Sequence, residues 1–311
     1  MKQYYRLMLG QKSMYAEQCF AGSYVGVNFG ITQNLNGHLP EAWRQFNAQF
    51  IPAYQAAHAG KSKVAAGLAC GALWTVAKGM QEGDVVLCPD GKGKYRVGEI
   101  CGAYIYEKDT DLPHRRPVRW FEQAIDRADM SEALRYSTGS IGTISKITSY
   151  ADEIVRFMGG GRLTAQPLEA TEEAVAFALE KHLEDFLVQN WKQTELGKDY
   201  DIYEVDGEMV GQQYATDTGP LDILAISKDK KILLVVELKK GRPSDAVVGQ
   251  VLRYMGYVQE ELAESTQMVR GVIIAQENDV RLQRALSMVP QLDFYQYEIR
   301  FKLSKPQNNK F

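Results

Sequence analysis

The clearest hydrophobic pattern lies in the second half of the chain. Val175, Leu179, Leu183, Phe186 and Leu187 fall on one stripe at helical spacing, with Thr171 placed to cap the helix and Glu172 and Glu173 in its first turn. This helix is expected to end near Asn190. After a polar connection, Leu221–Ile226 and Ile232–Leu238 read as strands, Ser244–Glu261 as a helix and Gly271–Ala275 as a strand. Another helix and a strand over Phe294–Leu303 follow. The order is α/β, which predicts a mixed central sheet flanked by helices.

The first half has a different texture. Val85–Leu87 and Tyr95–Ile100 are short apolar runs around the turn signal Pro89-Asp90-Gly91, and helical patterns over Glu41–His58 and Val64–Lys78 interrupt the strands. A mixed β-barrel with flanking helices fits this alternation. Three glycines after Met158, then Pro167, break the pattern between the halves. The expected division is a first domain over 1–157, a linker over 158–169 and a second domain over 170–311.

Charge sharpens that division. Residues 1–150 carry 17 Lys+Arg against 13 Asp+Glu, and the remainder 19 against 26, so a net charge of -3 hides a basic half and an acidic half. Basic surface suits phosphate contacts, and acidic residues suit a cation site. The four cysteines, Cys19, Cys70, Cys88 and Cys101, have no CxxC spacing, and no apolar stretch approaches a membrane span. A soluble, cytoplasmic protein with reduced thiols and no membrane partner is expected. Gly60-Lys61-Ser62 lacks the first glycine of a phosphate-binding loop because position 55 is Gln55, and the four histidines are too scattered for zinc.

The candidate chemistry sits on the two central strands of the second half. Asp222 opens one strand, and Glu237 and Lys239 close the other, two residues apart and hence on one face. Two carboxylates suit Mg2+, with Mn2+ an acceptable substitute, and the adjacent ammonium supplies positive charge for phosphodiester hydrolysis. The competing explanation is an ordinary charged strand end, since Glu-x-Lys alone carries little information.

Context favours the site. Thr218–Leu224, Val235–Lys239 and Ala246–Tyr254 together resemble the PD-(D/E)XK nucleases, specifically their NucS-like branch. The resemblance implies that Asp222 and Glu237 hold the cation and that Lys239 helps activate water. Gln250 and Tyr254, a QxxxY element, would support the site or contact nucleic acid. It also implies a carboxylate on the first helix, Glu184, with Glu180 one turn earlier as the competitor.

Asp84–Leu87, Val97–Ile100, Tyr104–Tyr106, His114–Trp120 and Tyr136–Ser140, with Trp74, resemble an EVE-like domain of the PUA superfamily, as found in Mrr-like restriction proteins. This implies a pocket for an extruded, modified base, lined by Tyr24, Asn28, Trp74 and Ser137, with Arg115, Arg116 and Arg119 on DNA phosphates. Core packing and a solvated arginine loop are the plainer explanations.

Joined, the two resemblances imply a modification-dependent DNA restriction endonuclease. It would act on base-modified, double-stranded DNA, such as DNA with a modified cytosine, in defence against foreign DNA, and could work as a homodimer. The alternatives are a mismatch- or structure-selective repair endonuclease and a noncatalytic nucleic-acid sensor.

Overall fold

A computed structural model of the protein describes residues 2–139, 142–159 and 183–298. In chain order the first half contains β1 (Tyr4–Leu7), α1 (Ala16–Ala21), β2 (Tyr24–Val27), α2 (Trp43–Ala57), α3 (Lys63–Trp74), β3 (Val85–Pro89), β4 (Lys94–Ile100), β5 (Ile105–Tyr106), β6 (His114–Asp126), α4 (Glu132–Thr138), β7 (Ile144–Lys146) and α5 (Ala151–Met158). Its sheet runs β2-β6-β4-β3-β1-β7, with β5 added to β6. The pairings are antiparallel except β1 with β3. The predicted β3–β4 hairpin is present, with Val85 opposite Glu99 and Pro89 opposite Tyr95. Ser62 caps α3 by accepting from the Ala65 amide, and a π-helical turn over Thr75–Gly79 extends it.

The second half contains α6 (183–189), α7 (Leu196–Asp199), β8 (Tyr200–Ile202), β9 (Glu204–Val205), β10 (Glu208–Met209), β11 (Gln212–Tyr214), β12 (Leu221–Ser227), β13 (Ile232–Lys239), α8 (Ala246–Tyr257), β14 (Met268–Ala275), α9 (Val280–Leu286) and β15 (Leu292–Gln296). Strands β11-β12-β13-β14-β15 form one sheet with β8 on β12. β12 and β13 are antiparallel, whereas β13, β14 and β15 are parallel. β13 is buried from Leu233 through Leu238 because both sheet faces are covered. Leu233 and Val235 pack under Val247, Val251 and Tyr254 of α8. Leu234, Val236 and Leu238 pack on the other face against Val188, Trp191 and Leu196. The architecture is the expected α/β pair of domains, the first built on a curled sheet and the second on a mixed sheet with helices.

The halves share a buried seam. Gly67 of α3 lies where an added Cβ would meet the Tyr214 hydroxyl at 2.6 Å and Leu262 at 2.7 Å, so only glycine permits that approach. Beside it the Tyr214 hydroxyl donates to the Val64 carbonyl at 3.0 Å, and the Trp43 indole N–H donates to the Tyr257 hydroxyl at 3.3 Å.

Several expectations need amending. The connection read as merely polar after Asn190 holds the short strands β8 to β11, too brief to show a period of two. The start of the helix predicted from Thr171, Glu180, most of the linker and the end of the strand predicted to Leu303 lie outside the described residues. Among the described residues no helix is long and apolar enough to cross a membrane.

Candidate active site

The register of β12 on β13 builds the site. Ile223 faces Val236 and Leu224 faces Val235, so Asp222 and Glu237 follow side by side at the end of the ladder, close enough for their charges to interact. Alternation then puts Asp222, Glu237 and Lys239 on the face that α8 covers, because Leu224 and Val235 belong to that core. The strands do not simply continue their ladder there. The Asp222 carboxylate accepts the Leu238 amide at 2.8 Å, so the side chain replaces a backbone acceptor and fixes its own position.

Glu237 is almost fully buried, and its Oε1 accepts from Lys239 Nζ at 2.7 Å. Burial pushes the Asp222 carboxyl up to about 7, and the neighbouring Glu237 charge adds to the rise. The Leu238 amide, Lys239 and Gln213 oppose it. A buried and a half-buried carboxylate are thus held together with one ammonium paired to Glu237, an arrangement that accommodates a divalent cation.

The helix carboxylate reaches Asp222 through an intermediary. Glu184 on α6 is buried, and its carboxylate accepts from the amides of Gln212 at 2.6 Å and Gln213. The Gln213 amide also donates to Asp222 at 3.1 Å, so one side chain spans the two acids. Gln213 adopts φ 51, the left-handed region, within β11. Such backbone is costly for a residue with a Cβ and recurs where geometry at a site demands it. Sequence reading missed both glutamines. The only available signal was their position on a strand preceding Asp222, and that strand was not recognised.

Gln250 and Tyr254 support the site from α8. The Tyr254 hydroxyl donates to the Pro220 carbonyl at 3.0 Å and interacts with Gln250, and the ring is buried. Burial raises its pKa and the Gln250 hydrogen bond opposes the rise. The pair therefore pins the turn that delivers Asp222. Gly219 sits in that turn with φ 122, a conformation that favours glycine.

Among the described residues no group of three or more His, Cys, Asp and Glu side chains gathers as a metal cluster. Asp222 and Glu237 alone still fit Mg2+, which takes one or two carboxylates and keeps waters for its other positions.

The proposed base pocket fares differently. Tyr24 lies under the Arg115 guanidinium, 4.0 Å from its ring centroid. Trp74 packs edge-on to Phe46 and Trp43, Asn28 folds back onto the Asp111 carbonyl and the Gly30 amide, and Ser137 donates to the Tyr150 hydroxyl. None of the four lines a cleft of this half that is bounded by Leu39, Glu82, Tyr104 and Arg116. The three arginines also diverge, because alternation on β6 points them to different sides. Arg119 is exposed and paired with Glu99, and Arg115 donates to the Leu112 carbonyl. Arg116 is only 5% exposed and faces inward at a cleft wall, unlike the open surface expected of a DNA-backbone contact.

Comparison with known proteins separates the halves in the same way. Residues 179–298 match the family described as the endonuclease NucS C-terminal domain, and residues 5–148 match a domain of unknown function, DUF8426. No curated protein matches the chain. Similar solved structures include an EndoMS complex with double-stranded DNA, at 15% identity, 67% of this chain, 62% of that chain and a TM-score of 0.33. A repair endonuclease from Pyrococcus abyssi follows at 16% identity, covering 68% of this chain and 66% of that one, with a TM-score of 0.29. The SdaI restriction endonuclease stands at 14% identity over 92% of this chain and 83% of that one, with a TM-score of 0.23. The chain spans 62% of the EndoMS chain, less than two thirds. The segment that matches the NucS C-terminal domain, residues 179–298, contains Asp222, Glu237, Lys239, Glu184 and both glutamines.

Proposed function

We propose that the protein is a divalent-cation-dependent DNA endonuclease in which Asp222 and Glu237 hold the cation. The observation that carries this reading is the proximity of Asp222 and Glu237 on adjoining strands with Lys239 on the same face, inside the segment that matches the NucS C-terminal domain. When bound, the cation, taken to be Mg2+, supplies Lewis-acid polarisation of the scissile phosphate and lowers the pKa of water. Lys239 offsets negative charge on the phosphate oxygens and orients the attacking water. Glu237 holds the Lys239 ammonium in place, Gln213 and the Leu238 amide fix the Asp222 carboxylate, and Gln250 with Tyr254 fixes the turn before it.

The first half selects the substrate in this reading. Recognition of a modified base accords with the EVE-like resemblance, and selection of mismatched or distorted duplex accords with the NucS C-terminal match. One panel distinguishes them: purified protein and Mg2+ with unmodified, cytosine-modified, mismatched and single-stranded DNA, beside an Asp222→Ala control. Cleavage confined to modified duplex supports restriction, and cleavage of unmodified mismatches supports repair. Cleavage that persists in Asp222→Ala removes the proposed site.

A further inference from the structure

The first half contains a cleft of about 540 Å³, within the size range of small-ligand sites. Arg116 is its unusual wall. The side chain is 5% exposed, its Nε has no hydrogen-bond partner, and no described carboxylate lies within ion-pair distance. Burial lowers its pKa, and the charges of Glu82 and Asp84 oppose that change. With Nε closed to solvent and unpartnered, and no described acceptor on the rest of the guanidinium, Arg116 keeps donors for a group that enters the cleft it lines.

Charge balance decides what kind of group that is. Lys78 also lines the cleft, but its ammonium is already taken by the carbonyls of Pro40 and Glu41 and by the Glu41 carboxylate. Asp84 is committed to the amides of Gln3 and Gln81, so it contributes a fixed negative charge near Arg116. Glu82 is an exposed carboxylate on the cleft wall. An entering phosphate or carboxylate would gain one guanidinium and face two acids. A neutral group with two adjacent acceptors and a nearby donor would engage Arg116 and Glu82 without that repulsion. Guanine has this pattern: O6 and N7 receive an arginine fork, while its N–H groups can donate to a carboxylate. Leu39, Ala77 and Tyr104 supply apolar and aromatic wall for a flat ring.

We propose that this cleft is a nucleobase pocket that selects guanine, with Arg116 donating to O6 and N7 and Glu82 accepting from the opposite edge. Its use in substrate choice rests on the first half being the reader of the nuclease; the binding itself does not. The test is calorimetric titration of the full-length protein with dGMP, 7-deaza-dGMP, dCMP and inorganic phosphate. Native protein should bind dGMP about tenfold more tightly than 7-deaza-dGMP or dCMP, the loss expected for one acceptor of a bidentate pair. Inorganic phosphate should not compete. Arg116→Gln should abolish the preference and Glu82→Gln, at an exposed position, should weaken dGMP binding. If Arg116→Gln fails to fold, the 7-deaza comparison on native protein still decides. Equal binding of dGMP and 7-deaza-dGMP, competition by phosphate, or no saturation by about 10 mM dGMP overturns the proposal. DNA cleavage is read in a separate assay with Asp222→Ala, so loss of the pocket and loss of the nuclease reading are distinguishable outcomes.

Discussion

The two halves place their candidate residues by different means. In the second half Asp222, Glu237 and Lys239 are carried by one pair of strands, so backbone register brings them close. In the first half Tyr24, Asn28, Trp74 and Ser137 come from separate elements and diverge into core, turn and surface contacts. A charged site on neighbouring strands can be read from spacing. An aromatic pocket cannot, because an aromatic residue at a core position satisfies the same pattern.

The sharpest test of this contrast is at the carboxylates. Glu237→Gln should cost about 10³-fold in DNA cleavage with the fold retained, measured by initial rates and circular dichroism. Trp74→Ala should show the opposite profile. If the ring is core, its loss lowers stability by about 3 kcal/mol in denaturant titration while the cleavage rate per folded molecule changes little. A selective loss of substrate discrimination with normal stability would instead return Trp74 to a reading role.

Asp222 links the site to stability. Its folded pKa lies above the ordinary value, so ionising it disfavours the folded state; the penalty is absent below about pH 4 and complete above about pH 7. Asp222→Asn should therefore abolish cleavage yet stabilise the chelator-treated protein by about 2 kcal/mol at pH 8, with no gain near pH 4. The same titration predicts that cation affinity rises with pH through 7, which calorimetry can follow. Gln213→Ala should give a smaller loss, about 10- to 100-fold in cation affinity or rate, as expected for a residue that orients a ligand. The smallest effect belongs to Arg119→Ala, whose exposed pair with Glu99 should contribute under about 1 kcal/mol to stability.

Much of the fold was legible because long periodic segments dominate it: α2, α3, β12, β13 and α8 follow their expected spans closely. The strands β8 to β11 were hidden because two or three residues cannot display alternation, and with them went Gln212 and Gln213. The role of Gln213 depends on its side chain bridging Glu184 and Asp222 across 29 and 9 positions of sequence, a relation that no local pattern encodes. Arg116 was misplaced for a related reason. A run of arginines suggests surface, yet strand alternation sends one of them inward.

Gly67 bears on whether the halves can be exchanged. Helix α3 belongs by sequence to the first half, yet Val64 lies in the core of the second, and Tyr214 and Leu262 rest against the bare backbone of Gly67. Cutting the chain after Met158 would leave the second half with an apolar scar where α3 had been. An engineer wishing to graft a different first half onto the second would have to carry α3 along with the second half, or rebuild its glycine seat in the donor.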